Sequence, residues 1–415
     1  MKVLVIGRGG REHAVVKKFK KDGVAEIFCA PGNPGMVEAT LVPIEEVEAV
    51  ALANWAAENE IDLTVVGPEM ALMAGVVDAF EAKGLKAFGP KKAAAYIEGS
   101  KAFAKRLMEK YHIPTAAYGE FDNMQVTEAH EFLDKQAMPI VIKADGLAAG
   151  KGVVICQTLE EAKATVDDML LDASFGEASA RVVIEEFLDG EEFSLMSFVA
   201  GDKFYPMPIA RDYKRAYDGD GGLNTGGMGA HSPHPLITAE DYQIALDKVV
   251  KPTVEAMIAE GKPFTGILYA GLIKTTEGPK VIEFNARFGD PETEVVLPLM
   301  ENQLAPALLD LLADRQTDII WRDEKTVGVV LAAIGYPGNY DKGVPIKGLD
   351  TLTDVDVYHM GTDLVDGEFV TNGGRVLFVV ASGTDLRAAR QKVYTELKKI
   401  DCDGLYYRTD IAGIV

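Results

Sequence analysis

Through the first hundred residues, short apolar runs end in glycine-rich turns and give way to stretches with a charged helical face. Val3–Ile6 closes on Gly7-Arg8-Gly9-Gly10-Arg11, and Glu12–Lys21 follows with helical periodicity. Glu26–Ala30 leads into Pro31-Gly32-Asn33-Pro34-Gly35, Asp62–Val66 into Gly67-Pro68-Glu69, and Lys86–Phe88 into Gly89-Pro90. Helical stretches lie between them, near Ile44–Asn59 and Met70–Lys83. Strand-helix alternation of this kind predicts a parallel sheet whose crevice is lined by the loops after the strands. Asn33 and Glu69 fall in those loops, either as ligand contacts or as turn formers. The first glycine turn begins like a dinucleotide fingerprint, but Glu12 stands where its last glycine would be. What remains is an anion seat at a helix N-terminus, sufficient for a monophosphate.

From Ser100 the pattern changes. A helix to about Lys110, a turn at His112-Ile113-Pro114-Thr115 and a helix near Thr127–Gln136 precede Met138–Lys143, an apolar strand that ends on a lysine. Burying that charge is costly unless an anion meets it. The next residues, Ala144-Asp145-Gly146-Leu147-Ala148-Ala149-Gly150-Lys151-Gly152, carry three glycines and a second lysine before a strand resumes, so the loop suits a polyphosphate. It is not a P-loop, because Gly152 and a strand replace the hydroxyl residue and helix. Arg181–Ser194 reads as strand, acidic turn and strand. Backbone groups near Phe187 and Leu188 could read an adenine edge there while Glu191 takes ribose hydroxyls. Between Ala210 and Ala230 lies a long glycine-rich stretch, expected to be irregular, that holds Arg211, Lys214 and Arg215.

A helix near Ala239–Glu260 then leads to two strands joined at Thr275–Pro279. In the second of these, period-two reading puts Ile282, Phe284, Ala286 and Phe288 on one face, and Val281, Glu283, Asn285 and Arg287 on the other. Strand rise sets Glu283 and Asn285 about 6.6 Å apart at Cα, so a carboxylate and an amide oxygen can share a hard cation. Arg287 follows, suited to a phosphoryl group or carboxylate. After helices to about Arg315, Lys325–Ile334, Val355–Met360, Val376–Ala381 and a helix near Asp385–Lys399 form a third, α+β piece. It carries His359 and Arg408 but no evident catalytic cluster.

At 415 residues the chain needs more than one core, and 48% hydrophobic with 26% charged residues is ordinary globular composition. A net charge of −22 argues against nucleic-acid binding through a general basic surface, and it makes the Arg211–Arg215 cluster stand out as a seat for a small anion. Cys29, Cys156 and Cys402 lack metal spacing and read as free thiols. No run approaches a membrane span, so the expected location is the cytoplasm.

Taken together, Lys143, the Gly146–Gly152 loop, the Glu185–Glu192 hinge and Glu283-x-Asn285-x-Arg287 resemble an ATP-grasp enzyme. The likeness narrows to the phosphoribosylamine–glycine ligase family. It runs nearly end to end through Gly7-x-Gly-Gly-Arg-Glu-His13, Ala30–Asn33, Val66–Glu69, Glu98–Phe103, Lys143–Gly152, Asn224–Gly229 and Asn285–Thr293. This resemblance implies an α/β and α+β multidomain chain. Its parts are an N-terminal parallel-sheet domain over 1–100, a central ATP-grasp domain over 101–315 with a mobile lid near 115–187, and a C-terminal α+β domain over 316–415. It implies that Lys101, Lys143, Gly146, Gly150, Lys151 and Gly152 bind ATP phosphates, and that Glu185, Phe187, Leu188 and Glu191 hold the nucleoside. Glu283 and Asn285 would ligate Mg²⁺ or Mn²⁺. Asp212, Lys214 and Arg287, with Asn224, Gly226 and Gly227 of the glycine-rich loop, would surround glycine and the reacting phosphoryl group, while Gly10, Asn33 and Glu69 would help seat 5-phosphoribosylamine. The chain departs from the family pattern at Arg211-Asp-Tyr213-Lys-Arg215, often Gln-Asp-His-Lys-Arg, and at Leu223, often Pro. The expected partners are these small molecules, with no nucleic acid or membrane, in a monomer or weak homo-oligomer. A carboxylase or peptide ligase of the same superfamily is the nearest rival, and a nucleotide sensor is the rival without catalysis. Many of the former carry a further metal-binding acid on the preceding strand, where Tyr269-Ala270-Gly271-Leu272 has none.

Overall fold

The N-terminal sheet is wholly parallel, with strands β1 (Lys2–Gly7), β2 (Glu26–Pro31), β3 (Thr40–Leu41), β4 (Leu63–Val66) and β5 (Ala87–Phe88) in the order β3-β2-β1-β4-β5. Val3, Leu4, Val5 and Ile6 are fully buried, as a central strand covered on both faces requires. Helix α1 (Gly10–Lys21) follows the first turn, as the pattern predicts. The helix expected over Met70–Lys83 is instead two short ones, Glu69–Met73 and Val76–Glu81, because Gly75 adopts φ +82° between them. The structure is a computed structural model that describes residues 1–146, 152–172 and 180–413.

Strands β6 (Tyr118–Asp122), β7 (Ile140–Ala144), β8 (Val153–Cys156) and β9 (Arg181–Glu186) make an antiparallel sheet in the order β6-β9-β7-β8. The helices Val126–Leu133 and Leu159–Leu170 pack on it around a core of its own that includes Leu133, Ile142, Val166, Met169 and Ile184. The chain continues through β10 (Glu191–Ala200), β11 (Lys203–Pro206), β12 (Arg211–Asp212), the ribbon β13 (Arg215–Tyr217) and β14 (Gly221–Asn224), and β15 (Gly229–Ser232). The stretch expected to be irregular is thus built from short strands. Strands β16 (Thr265–Thr275) and β17 (Gly278–Asn285) complete a second antiparallel sheet, β11-β10-β16-β17.

The C-terminal part contributes β18 (Lys325–Ala333), β19 (Asp356–His359), the ribbon β20 (Thr362–Val365) and β21 (Glu368–Thr371), β22 (Arg375–Gly383) and β23 (Leu405–Tyr406). Its sheet runs β12-β15-β18-β22-β19, with β23 beside β18, so two strands come from the central segment. The boundary expected at residue 316 divides the sequence but not this sheet. No described helix is long and apolar enough to cross a membrane, and the three cysteines are free.

The alternation along β17 shifts phase at its middle. Gly271 pairs with Glu283 while Leu272 pairs with Val281, leaving Ile282 as the extra residue of a β-bulge. Val281 therefore turns into the core, fully buried, and Ile282 is half-buried, which reverses the two sides expected for this pair. The open-face assignment of Glu283, Asn285 and Arg287 holds, with Phe284, Ala286 and Phe288 buried behind them. β17 is an edge strand, and an edge accommodates both Pro279 and a bulge without breaking a ladder on its far side.

Candidate functional site

The outer edge of β17 meets the segment leading into β6 and, through Lys143, the β6-β9-β7-β8 sheet. The Val281 N–H donates to the Pro114 carbonyl at 2.8 Å, and the Val281 carbonyl accepts from Thr115 Oγ1 at 2.7 Å. One residue on, the Ile282 carbonyl accepts from Lys143 Nζ at 3.0 Å. The strand-end lysine is therefore buried, 4% exposed, and turned toward the strand that carries Glu283. Lys143 also donates to Glu185 Oε2 at 3.0 Å, and Lys105 approaches the same oxygen at 3.1 Å while donating to Thr115 Oγ1 at 2.8 Å. Glu185 Oε1 is buried without a hydrogen-bond partner. Lys101 Nζ donates to the Gly146 carbonyl at 3.2 Å, and Ala144 N–H to the Gly152 carbonyl at 2.8 Å. Gly150 and Lys151 lie outside the described residues.

Burial opposes ionisation of Glu283, but Lys214, Lys143, Lys101 and Arg287 outweigh it and hold the carboxyl below its usual range. Burial likewise lowers Lys101, and it brings Lys105 down to about 8. The result is a carboxylate inside a ring of cations.

Arg287 is more heavily committed than a free catalytic charge would be. Its Nε donates to Glu69 Oε2 at 3.1 Å, Nη2 lies 3.0 Å from Glu98 Oε1, and Nη1 donates to the Phe288 carbonyl at 3.1 Å. Glu98 in turn accepts from the Ala286 N–H at 2.7 Å. A planar fork can span two carboxylates in this way, whereas a lysine cannot. Glu69, expected to face substrate, thus ties the N-terminal crevice to the open face of β17.

Burial alone would raise the Glu69 carboxyl, but Arg287 and Arg11 hold it down to about 2. Because the folded value lies below the ordinary 4.5, the stability it contributes is complete above pH 4.5 and is lost as pH falls toward 2. Urea titrations across that window are expected to show a shallower pH dependence for Glu69→Gln than for the unmodified chain. Parallel curves would contradict the pairing.

The first glycine turn is closed to a dinucleotide. Glu12, 1% exposed, folds back so that Oε2 accepts from the Gly9 N–H at 2.7 Å and Oε1 from Arg11 Nε at 2.5 Å. A Cβ on Gly67 would meet Glu12 Oε1 at 2.0 Å, so this side chain fills the space a diphosphate would need. At Gly10 a Cβ would lie 2.5 Å from Glu294 Oε1, so close packing demands this glycine whatever it binds. The Asn33 amide is spent on backbone: Nδ2 donates to the Arg8 and His359 carbonyls at 2.7 and 3.0 Å, and Oδ1 accepts from the Gly35 N–H at 2.9 Å. Of the two readings of Asn33, turn former and ligand contact, the structure displays the first. His359 serves this structural network.

Asp212 and Lys214 reach the same region from β12 and the residues after it. Lys214 Nζ donates to Glu192 Oε2 at 2.6 Å. Asp212 Oδ1 has no hydrogen-bond partner, and burial, then Glu292, push its carboxyl well above the usual range against Lys214 and Arg375. Gly227, at φ +110°, flanks it: a Cβ there would come within 2.5 Å of Asp212 Oδ1 and of Pro291 Cδ. Gly226 and Asn224 are exposed on the outer part of this loop. At the hinge between β9 and β10, Phe187 is exposed and Leu188 half-buried, and Glu191 Oε1 contacts Arg211 and, at 3.3 Å, His234 Nε2.

Three models of phosphoribosylglycinamide synthetase domains match the chain in succession: the N domain over residues 1–98, the ATP-grasp (A) domain over 99–293 and the C domain over 326–413. The chain belongs to the phosphoribosylglycinamide synthetase family. Similar proteins include the phosphoribosylamine–glycine ligases of Halalkalibacterium halodurans, 52% identical over 100% of this chain and 97% of that one, and of Listeria innocua, 52% identical over 99% of each. The crystal structure of phosphoribosylamine–glycine ligase from Thermotoga maritima superposes with a TM-score of 0.87 at 35% identity, covering 99% of this chain and 100% of that one. The biotin carboxylase domain of the Hydrogenobacter thermophilus 2-oxoglutarate carboxylase shares the fold, with a TM-score of 0.75 at 16% identity over 98% and 91% of the two chains.

Within this synthetase fold the register of the site sheet bears on the carboxylase rival. Gly271 lies opposite Glu283 and Tyr269 opposite Asn285, so the neighbouring strand offers no carboxylate across from the pair. Several buried groups were passed over in the sequence. Lys105 sits one helical turn from Lys101, a spacing that marks a shared face and could have revealed it. Glu98 stood inside a recognised motif without a role. Glu292, which accepts from Ser194 Oγ and Tyr269 Oη at 2.8 Å each, likewise stood inside the Asn285–Thr293 motif without a role.

Proposed function

We propose that this chain joins glycine to 5-phosphoribosylamine at the expense of ATP, through a glycyl phosphate, to give glycinamide ribonucleotide, ADP and phosphate in purine biosynthesis. The observation that carries the reading is the docking of Lys143 on the Ile282 carbonyl beside Glu283, which brings a buried lysine to the edge of the strand that carries Glu283 and Asn285. Lys101, Lys143, Gly146 and Gly152 take the ATP phosphates. Glu185, Phe187, Leu188 and Glu191 hold the nucleoside, with the unpartnered Glu185 Oε1 free to accept from it.

The donor set at β17 fits a hard divalent cation, since an ionised carboxylate and an amide oxygen share one open face. Glu283 and Asn285 would hold Mg²⁺ or Mn²⁺, which when bound offsets charge on the transferring phosphoryl group. Among the described residues no three His, Cys, Asp or Glu side chains converge as a separate metal cage.

Asp212 receives the glycine ammonium, which satisfies its unpartnered oxygen and restores its ionisation. Lys214 and Arg287 face the glycine carboxylate, which attacks the γ-phosphoryl group as ADP leaves. The amine of 5-phosphoribosylamine, seated near Gly10 and Glu69 with Asn33 shaping the floor, then attacks the acyl carbon. Phosphate departs carrying one former carboxylate oxygen, and the amine loses its proton. Exclusion of water by the lid sheet protects the acyl phosphate. ADP release is expected to require glycine and to reach its full rate only with 5-phosphoribosylamine. Release that proceeds equally with glycine omitted, or with bicarbonate in its place, would overturn the proposal.

A further inference from the structure

The C-terminal part was expected to carry no catalytic cluster, yet two of its arginines grip the loop that presents Asp212 and Lys214. At one end, Arg408 is 2% exposed and donates from Nη1 to the Arg215 carbonyl at 3.0 Å and to Asp220 Oδ1 at 2.9 Å. Asp410 binds the same guanidinium and also accepts from the Gly219 N–H at 2.8 Å. The Arg408 guanidinium lies 5.2 Å from the centre of the Tyr213 ring, and Tyr213 Oη accepts from the Ala412 N–H at 3.0 Å. Tyr213 is thus pinned between Asp212 and Lys214.

At the other end, Arg375 Nη1 donates to the Gly226 carbonyl at 2.7 Å, and Nη2 pairs with Asp290 Oδ1 at 2.8 Å. A Cβ on Gly226 would lie 3.0 Å from Arg375 Cζ, so the guanidinium rests against the turn itself. The residues next in sequence to these two contacts are Gly227, which packs against Asp212 Oδ1, and Pro291, which packs against Gly227. Tyr336 Oη accepts from the Gly226 N–H at 3.0 Å and fixes the turn a second time.

Bracing alone does not require one buried and one half-buried guanidinium group, since apolar contacts would hold the segments together without the cost of desolvating charge. Forked donors aimed at named backbone carbonyls set geometry to within a few tenths of an ångström. We propose that Arg375 and Arg408 are positioning residues for the glycine side of the site, through which the C-terminal domain sets the placement of Asp212 and Lys214. This rests on the reading of Asp212 and Lys214 given above.

The test is steady-state kinetics on the full chain with glycine and ATP varied separately, alongside thermal melts. Arg375→Met is expected to raise KM for glycine by about tenfold or more while KM for ATP stays within about twofold, with Arg375→Lys intermediate. Arg408→Met is expected to show the same split. Tyr336→Phe, which removes one hydroxyl and keeps the fold, is expected to show it at a few-fold, so the proposal stays testable if an arginine variant fails to fold. A lowered melting temperature with unchanged KM for glycine, or equal rises in both KM values, would overturn the proposal. Asp212→Asn separates the two levels: if it leaves KM for glycine unchanged, the reading of Asp212 itself fails. If it raises KM for glycine while the Arg375, Arg408 and Tyr336 variants do not, only the positioning role fails.

Discussion

Glu283→Ala is expected to reduce kcat by about a thousandfold or more, with KM for ATP changed far less and the unfolding midpoint almost unmoved. The asymmetry follows from what the side chain does and does not touch. Glu283 faces Gly271 across the ladder and is ringed by Lys214, Lys143, Lys101 and Arg287. Losing its carboxylate frees positive charge that still attracts phosphates, so nucleotide binding survives. The same loss removes the ionised oxygen proposed to hold the metal, so the barrier to phosphoryl transfer rises. Glu283→Gln keeps an oxygen but not the charge and is expected to fall close to the alanine variant. ADP release measured beside circular-dichroism melts checks both parts, and activity within about tenfold of the unmodified chain would contradict the assignment.

Arg287→Ala is expected to abolish turnover and also to destabilise the fold by about 3–5 kcal/mol, the cost of leaving partly buried carboxylates without their cation. Two of them depend on it: Glu98, whose side chain is 7% exposed, and Glu69, at 26%. Arg287→Lys is expected to rescue neither property fully, because a single ammonium cannot bridge both partners and the Phe288 carbonyl at once. Urea unfolding resolves the stability part. A lysine variant as stable and as active as the original would show that charge alone suffices there.

These two residues also mark how much of the site is legible in the sequence. Alternation placed Glu283, Asn285 and Arg287 on one open face, and the buried Phe284, Ala286 and Phe288 confirm it. It failed one step earlier, at Val281 and Ile282, because a bulge leaves no trace in hydrophobic pattern when both residues are apolar. The parallel sheet was legible from its apolar runs and glycine turns, but the two-residue strand β3 was too short to leave a period.

Arg287 was expected beside glycine and the reacting phosphoryl group, with no protein partner foreseen for it. Its pairing with Glu69 and Glu98 spans 218 and 189 positions of sequence, which no local pattern encodes. The same limit hid Arg375 and Arg408, since their partners at Gly226, Asp290 and Asp220 are brought close only when β12 and β15 join the C-terminal sheet. Asn33 shows the opposite case. Its turn chemistry was visible in Pro-Gly-Asn-Pro-Gly, and the structure displays that chemistry in full.

The central claim is that the glycine carboxylate is phosphorylated before the amine arrives, and oxygen transfer tests it most directly. Turnover of glycine labelled with ¹⁸O in its carboxylate should place one labelled oxygen in each molecule of released phosphate, because the attacking oxygen leaves with phosphorus when the acyl carbon is taken by the amine. Phosphate free of label after complete turnover would contradict the glycyl phosphate route and, with it, the roles given to Glu283, Arg287 and Asp212.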